Sequence, residues 1–575
     1  MLLEEGTDVT KLESKFPAFI DKIVGEEYAG RYAPHLQNIS ELLLFSNLYA
    51  EHGENLEVSY IYIFIAIGLL ILIIACINFV NLATAQGLKR AKEVGVRKVM
   101  GAFKRQLVFQ FLAEAFLIAF FAVLIGLVLV ELALPWFNDL AEWSVTADYT
   151  SNPFYIISIV GFVILVGLFA GGYPAFILSS FKPVKVLKGE NSGTNSKSIL
   201  KTSLVVTQFT VAIFMIISTG SVNRQLDYLK NKDLGFNKND VLVSGIPSGI
   251  SKTDFDLVRE ELFRIPGVSE VSFSSNIPGY QSGSRRQYNP DGEFAENGLL
   301  VNSYSIDDNF ITQFNLTLLE GRDFSSDLAS DSLSSVLINE AAADKFGWED
   351  PIGKTISYKS PEGETERYSV VGLVKDFNFE TLQSRINPLL LFNDLDRLGQ
   401  TSIRINSENL ADVTEQISTT LKSLNNGIPM WYYFLEEGIA SVYDTEEVIG
   451  EMLQYFTYLT IFIACLGLLG LVSFTVINRR KEIGIRKVLG ATVFSIVQSI
   501  SLQFLKLVFI GFIIGAPLAY FLITQWLNSF AYNAPPNATI FISSGLATLF
   551  IALLTIGYQA IKAALANPVD SLKSE

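Results

Sequence analysis

Two eleven-residue stretches gather the side chains most able to do chemistry: Lys92–Ala102 (KEVGVRKVMGA) and Lys481–Ala491 (KEIGIRKVLGA). Each carries an acid (Glu93, Glu482), an adjacent arginine and lysine (Arg97 and Lys98, Arg486 and Lys487) and two glycines (Gly95 and Gly101, Gly484 and Gly490). That chemistry is recognition rather than bond-making. Arginine grips a carboxylate through two parallel hydrogen bonds and lysine adds a point charge, so the stretches suit docking on a partner. Anchoring to lipid phosphates would account for the basic residues alone. It leaves the acids and glycines unexplained. Each glycine weakens a helix by roughly 0.5–1 kcal/mol relative to alanine, so keeping two in both copies suggests close approach of another backbone or a sharp entry.

Bond-making candidates are few elsewhere. The chain has two histidines, His35 and His52, and two cysteines, Cys76 and Cys465, both inside apolar runs. Neither set suggests a metal site, a disulfide or a nucleophile–base pair. Gly353-Lys354-Thr355 has the ending of a phosphate-cradling loop, but the first glycine such a loop requires is replaced by Trp348. A turn between strands is expected there, and no nucleotide or other cofactor is expected on this chain.

The elements that hold the two stretches follow from periodicity. On a helix, Val96, Val99, Met100 and Phe103 fall at i, i+3, i+4 and i+7, one apolar stripe. Ile485, Val488 and Leu489 repeat it, with Thr492 in place of Phe103. The stripe is expected to pack on the ends of neighbouring spans, with Arg97, Lys98, Arg486 and Lys487 turned toward the partner. Gly101 and Gly490 are expected to let each helix turn into the next span.

The chain is 50% hydrophobic with mean hydropathy +0.35, and its apolar residues are clustered. A net charge of −15 argues against nucleic acid as a partner. Seven runs are long enough to cross a bilayer: about 58–86, 106–131, 153–180, 203–220, 452–478, 493–522 and 539–562. The fold class expected is an α-helical integral membrane protein with an α+β extracytoplasmic domain. The domain shows strand-like runs at Val268–Ser274, Ser335–Ile338, Tyr368–Val374 and Pro388–Phe392, and helix-like runs at Asp254–Arg264 and Asn409–Leu424. Lys and Arg cluster beside both repeated stretches and in the polar linker Lys182–Lys201, and are absent from Leu134–Ser151 and Thr524–Asn537. That asymmetry puts the two stretches and the C-terminus in the cytoplasm, and the large domain and residues 1–57 outside. Within the spans, Glu114, which aligns with Gln503, and Lys506 are expected to hydrogen-bond between helices or to snorkel rather than to relay protons. Tyr443 and Asp444 are expected at the surface.

The duplication extends beyond the stretches. Ile74-Ala75-Cys76 matches Ile463-Ala464-Cys465. Gly172-Tyr173, Pro183-Val184 and Leu187-Lys188 match Gly557-Tyr558, Pro568-Val569 and Leu572-Lys573. The expected division is 1–57, the remnant of a first outer domain; 58–190, the first repeat; 191–222, linker and fourth span; 223–450, the outer domain; and 451–575, the second repeat. Span 203–220 precedes the second repeat and has no counterpart before the first, so a complete form is expected to have eight spans and two outer domains.

The duplicated KE-x-G-x-RK-x-x-GA motif, each copy followed by two spans, resembles the FtsX/MacB-type permeases of ABC transporters. So do the flanks Cys76-Ile77-Asn78-Phe79-Val80-Asn81-Leu82 and Tyr173-Pro174-Ala175. In the outer domain, Gly321-Arg322-Asp323-Phe324, Ile338-Asn339-Glu340, Pro351-Ile352-Gly353-Lys354 and Val371-Gly372-Leu373-Val374-Lys375-Asp376 resemble the MacB-type periplasmic core domain. The duplicated form is similar to permeases of Bacteroidetes-type Gram-negative bacteria. The resemblance implies an inner-membrane subunit served by two copies of a cytoplasmic ABC ATPase, which would hold the ATP and Mg. It implies mechanotransmission to the outer domain for export or extraction of a peptide, lipoprotein or drug-like substrate. A periplasmic adaptor, an outer-membrane channel or a periplasmic effector are the further partners it implies. A signal transmitter that activates a cell-wall hydrolase or senses antimicrobial peptides is the alternative.

Overall fold

A computed structural model describes residues 3–24 except 5, 34–39, 58–89, 91–141, 144–147, 149, 153–179, 195–250, 254–279, 283–290, 298–359 and 364–565. The chain divides into two compact units, Met1–Cys76 and Ile77–Glu575. In the first unit, α1 (Val9–Glu13) and α2 (Phe16–Val24) precede the start of α3 (Val58–Lys89). Asp8 caps α1 by accepting from the Lys11 amide at 3.2 Å. Residues 25–33 and 40–57 of the expected outer-domain remnant lie outside the described residues.

The second unit takes up α3 at Ile77 and continues with α4 (Ala91–Val99), α5 (Lys104–Ala141), α6 (Pro153–Ser179) and α7 (Asn195–Asn231). The α+β domain follows: β1 (Val241–Gly245), α8 (Phe255–Phe263), β2 (Val268–Ser274), β3 (Ser284–Pro290), β4 (Leu299–Ser305), α9 (Phe310–Gln313), β5 (Leu318–Gly321), α10 (Ala329–Ser334) and β6 (Ser335–Asn339). It continues through α11 (Glu340–Phe346), β7 (Thr355–Lys359), β8 (Thr365–Val374), β9 (Leu389–Phe392), β10 (Gln400–Ile405), α12 (Leu410–Leu424), β11 (Tyr432–Phe434) and α13 (Leu435–Ser441). The chain then returns through α14 (Asp444–Asn478), α15 (Arg480–Val488), α16 (Val493–Leu527) and α17 (Ala538–Leu565). The expected strand and helix runs coincide with β2, β6, β8, β9, α8 and α12 to within a few residues.

Seven helices among the described residues are long and apolar enough to cross a membrane, as expected. Several run past their expected limits. α7 is already helical from Asn195, inside the expected linker, whose residues 182–194 lie outside the described ones. α5 continues through Pro135 to Ala141, where a loop from Leu134 is expected. Proline is tolerated in a membrane helix where neighbours re-satisfy the freed backbone, and Trp136 just beyond it packs edge-on against Tyr455 of α14 at 4.7 Å. The expected C-terminal pairs Pro568-Val569 and Leu572-Lys573 lie outside the described residues.

The α+β domain has two lobes. One is an antiparallel sheet of order β11-β1-β10-β2, whose Leu242, Val271 and Ile403 pack on Val258 and Leu262 of α8 and Ile417 of α12. The other has the order β5-β8-β6-β9-β4-β3-β7, with β8 also paired to β7, so six of its strands close on themselves. β6 is buried along its whole length because both its faces are covered. Val336 and Ile338 face a core with Trp348 and Ile356, while Leu337 faces one with Phe310 and Phe377. Gly353-Lys354-Thr355 forms the turn into β7, with Gly353 at φ +82°. The Gly353 amide donates to Val370 O at 2.8 Å and the Lys354 amide to Pro351 O at 3.1 Å. The amides a phosphate cradle would need are spent on the turn and the sheet, so the stretch does not fit a nucleotide.

The domain core containing Leu337 also holds Leu229 of α7, Tyr443 just before α14 and Phe530 just after α16. Tyr443 is therefore not a surface residue as expected. It is buried, and its hydroxyl accepts from the Leu382 amide at 3.0 Å. Lower down, Val205, Phe209, Ile213 and Ile217 form an i, i+4 ridge on α7 that meets Ile500, Phe504 and Val508 of α16. Gly515 of α16 permits the close approach, since a Cβ there would lie 2.8 Å from Thr210 O.

Candidate functional site

The two motif helices, α4 and α15, stand at the ends of the spans away from the α+β domain. Each is nine residues long, with its glutamate in the first turn and its arginine and lysine in the last. That order complements the helix dipole. Glu93 and Arg97 pair at 2.7 Å, and so do Glu482 and Arg486, each one turn apart. Both helices stop the same way. Gly101 at φ +100° and Gly490 at φ +93° take the left-handed conformation that glycine alone adopts cheaply. The Ala102 amide then donates to Arg97 O at 3.0 Å, and the Ala491 amide to Arg486 O at 2.9 Å. The next helices begin with opposite halves of a capping box. Gln106 accepts from the Phe103 amide at 3.0 Å, whereas Thr492 accepts from the Ser495 amide at 3.2 Å.

The orientation of these helices corrects an expectation. The stripe does not pack on the spans. Val96, Val99, Met100 and Phe103 are exposed, Met100 at 84%, and so are Ile485, Val488 and Leu489, the last at 81%. The inward face is instead Val94 and, in the second copy, Ile483 and buried Gly484. At about 100° per residue, positions two, five and six after Val94 fall on the far side of the helix. The result is a bare apolar strip on each motif helix, flanked by a glutamate–arginine pair.

Lys98 is a second correction. It does not turn outward: its Nζ donates to Ser179 O, in the last turn of α6, at 2.5 Å. Burial and nearby Lys104 pull its pKa below the ordinary lysine range. Arg97 is likewise tied inward, because its Nη1 donates to Gln110 Oε1 of α5 at 3.0 Å while Nη2 holds Glu93. Gln110 Nε2 in turn donates to Glu114 Oε1 at 3.2 Å. A continuous polar chain Glu93–Arg97–Gln110–Glu114 thus runs from the motif helix onto α5 and about 6 Å along it. Glu114's bond to Gln110 lies within its own helix, and Gln110 is in turn bonded across helices by Arg97. Gln503 and Lys506 are exposed on α16. Gly95 sits within α4 directly after Val94.

Sequence reasoning passed over Gln110 and Ser179. Gln110 had a local signal, its i, i+4 spacing to Glu114. Ser179 is far from Lys98 in sequence and had none.

A ladder of bonds between α7 and α14 leads from this end toward the α+β domain. Gln208 Nε2 donates to Ala464 O at 2.7 Å, Thr219 and Thr457 share a hydrogen bond of 2.7 Å, and Lys230 pairs with Glu447 at 2.6 Å. With Tyr443 seated in the domain core, these two helices join the spans to the domain at several levels.

Comparison with known proteins identifies two family models along the chain. Residues 65–183 and 455–568 each match the FtsX-like permease C-terminal family, and residues 202–423 match the MacB-like periplasmic core domain. Macrolide export ATP-binding/permease protein MacB of Aggregatibacter actinomycetemcomitans is 24% identical over 289 residues, 48% of this chain and 44% of that protein. The uncharacterized ABC transporter permease YvrN of Bacillus subtilis (strain 168) is 27% identical over 298 residues, 47% of this chain and 70% of that protein. The periplasmic region of MacB from Actinobacillus actinomycetemcomitans aligns with 37% of this chain and 97% of that structure, at 16% identity and a TM-score of 0.26. The chain spans less than half the length of the MacB relatives it matches.

Proposed function

The chain belongs to the FtsX/MacB-type permeases of ABC transporters, and from that premise we propose that it is the transmembrane subunit on which a separate pair of cytoplasmic ATPases acts. The observation that carries this reading is the bare apolar strip with its glutamate–arginine pair, present on both α4 and α15. Exposed apolar surface rimmed by charge is what a protein partner covers. Each strip receives one ATPase subunit in the cytoplasm, and the ATPases hold the ATP and Mg. Movement at α15 passes through α14, paired with α7, to the α+β domain in the periplasm. Movement at α4 passes through Lys98 and Arg97 into α6 and α5. The output is mechanical work on a periplasmic substrate, a peptide, lipoprotein or drug-like molecule, and this chain itself hydrolyses no ATP.

Cross-linking in membranes tests the docking. Val99→Cys and Val488→Cys, placed one at a time in a chain whose Cys76 and Cys465 are replaced by serine, should each be linked to the ATPase by a short bifunctional thiol reagent. Thiols that react only with lipid-soluble maleimide, and never capture the ATPase, would assign the strips to the bilayer instead.

A further inference from the structure

Six strands of the second lobe close into a small barrel, because β8 pairs with β7 as well as with β6. The pairing directions put the starts of β3, β6 and β8 and the ends of β4, β7 and β9 at one mouth. Side chains alternate along a strand, so residues two apart share a face. On β3 that joins Arg286 with Tyr288, and on β8 Glu366 with Tyr368. Each of these strands carries a charge one step nearer the mouth than a tyrosine. Deeper in, Val336, Ile338, Val370 and Leu390 fill the barrel together with Trp348.

The filling stops short of this mouth. A cavity of about 330 Å³ opens there, lined by Arg286, Tyr288, Tyr358, Tyr368 and Phe392 among others. Barrel mouths are preferred places for small-molecule sites, which join an apolar floor to a few polar groups. Here the floor is aromatic. Tyr288 stacks on Phe392 with ring centroids 5.8 Å apart, Tyr358 lies 5.5 Å from Tyr288, and Tyr368 meets Phe392 edge-on at 4.7 Å. Leu333 of α10, 76% exposed, adds an apolar side.

The polar groups decide which charge the mouth accepts. Asp331 accepts from both terminal nitrogens of Arg322, at 2.6 and 2.7 Å. Asp394 pairs with Arg397 at 3.0 Å, and Glu366 accepts from the Tyr368 hydroxyl at 2.5 Å. Asp396 is exposed, where salt and water screen it. Arg286 differs. Among the described residues it makes no ion pair or hydrogen bond, and its guanidinium lies over the Tyr358 ring, 5.3 Å from the centroid. Arg259, in the cavity beside α8, is by contrast spent on Asp256, Asp307 and Asp308. Stacking uses the face of a guanidinium and leaves its in-plane N–H groups for a carboxylate.

We propose that this mouth binds a ligand with one carboxylate beside an aromatic ring, the chemistry shared by a peptide ending in an aromatic residue and by a small aromatic acid. Arg286 takes the carboxylate, and the ring packs on Tyr358 and Tyr368. The site stands on the barrel alone. Binding by the purified chain needs no ATPase, so this site and the docking reading above fail separately.

Isothermal titration of the purified full chain in detergent tests the site with acetyl-Ala-Phe, its C-terminal amide and phenylpropionate. Acetyl-Ala-Phe should bind, and the amide should bind about tenfold more weakly or worse, as expected when a hydrogen bond to a charged group is lost. Phenylpropionate as tight as acetyl-Ala-Phe would assign the site to small aromatic acids, and a clearly tighter peptide would assign it to peptide C-termini; both support the proposal. Arg286→Gln should erase the preference for acid over amide and leave the melting temperature unchanged, because no ion pair is lost. Arg286→Lys keeps the charge without the fork and should fall between. The comparison of acid and amide on the unaltered chain decides the matter even where Arg286→Gln folds poorly. No binding of either acid, equal binding of acid and amide, or an undiminished preference in a folded Arg286→Gln chain would overturn the site.

Discussion

The two motif helices share a sequence and a shape yet are wired into the membrane differently. α4 and α15 have the same internal glutamate–arginine pair, the same left-handed glycine stop and the same bare strip. Around them the connections diverge. Arg97 reaches Gln110 and, through it, Glu114, and Lys98 holds the end of α6. The second repeat has Ser499 and Gln503 where the first has Gln110 and Glu114, and a serine is too short to continue such a chain. Ile483 of its helix packs against the core formed by α7, α14, α16 and α17. Duplication preserved what a docking partner would touch and let the inward attachment drift.

That contrast can be broken most forcefully at the shared stop. Gly101→Val and Gly490→Val force a β-branched residue into the left-handed region, at a cost of about 1–3 kcal/mol each. The melting temperature of the purified chain should fall by similar amounts in the two variants. A large loss in only one would show that the stops are not equivalent.

The next effect concerns the first copy's attachment. Lys98→Met removes a charged donor from Ser179 O and should cost about 1.5 kcal/mol. Proteolysis after residue 99 in membranes should accelerate as α4 loosens from α6. An unchanged cleavage rate would mean that Val94 and the Arg97–Gln110 bond hold the helix without Lys98.

The smallest effect separates the two arginines. Lysine can keep one bond of an arginine but not two in fork geometry. Arg486→Lys should therefore be close to neutral, because an exposed pair one turn apart contributes about 0.3–0.5 kcal/mol. Arg97→Lys should cost more, up to about 1 kcal/mol, because it must abandon either Glu93 or Gln110. Equal melting temperatures for the two would erase the distinction drawn here between the copies.

Much of this was legible in the sequence where a local rule decides. The seven membrane helices follow from apolar length, β2 and β6 from their β-branched and apolar runs, and the glycine stops from their place after a periodic helix. The strip Val96, Val99, Met100 and Phe103 was legible as a stripe, but not which way it faces. Periodicity shows that a helix has an apolar side and is silent on whether a span or a partner covers it. Val94 made a poorer stripe and still became the inward face, with Lys98 one turn on finding the end of α6. Tyr443 looked like surface because its neighbours are acidic, and its burial depends on Leu382 and on a core assembled from strands far away in sequence.

The central claim is that the bare strips, not the charges beside them, are the docking contact. Recovery of the partner ATPase with Met100→Glu, Leu489→Glu double-variant chain, compared with Arg97→Ala, Arg486→Ala chain, tests it directly. Burying a Met or Leu side chain contributes about 1.5–3 kcal/mol, so the glutamate variant should lose more than about tenfold in recovered ATPase while inserting normally. The alanine variant should lose much less. Full recovery of the ATPase by a stably inserted Met100→Glu, Leu489→Glu chain would contradict the account.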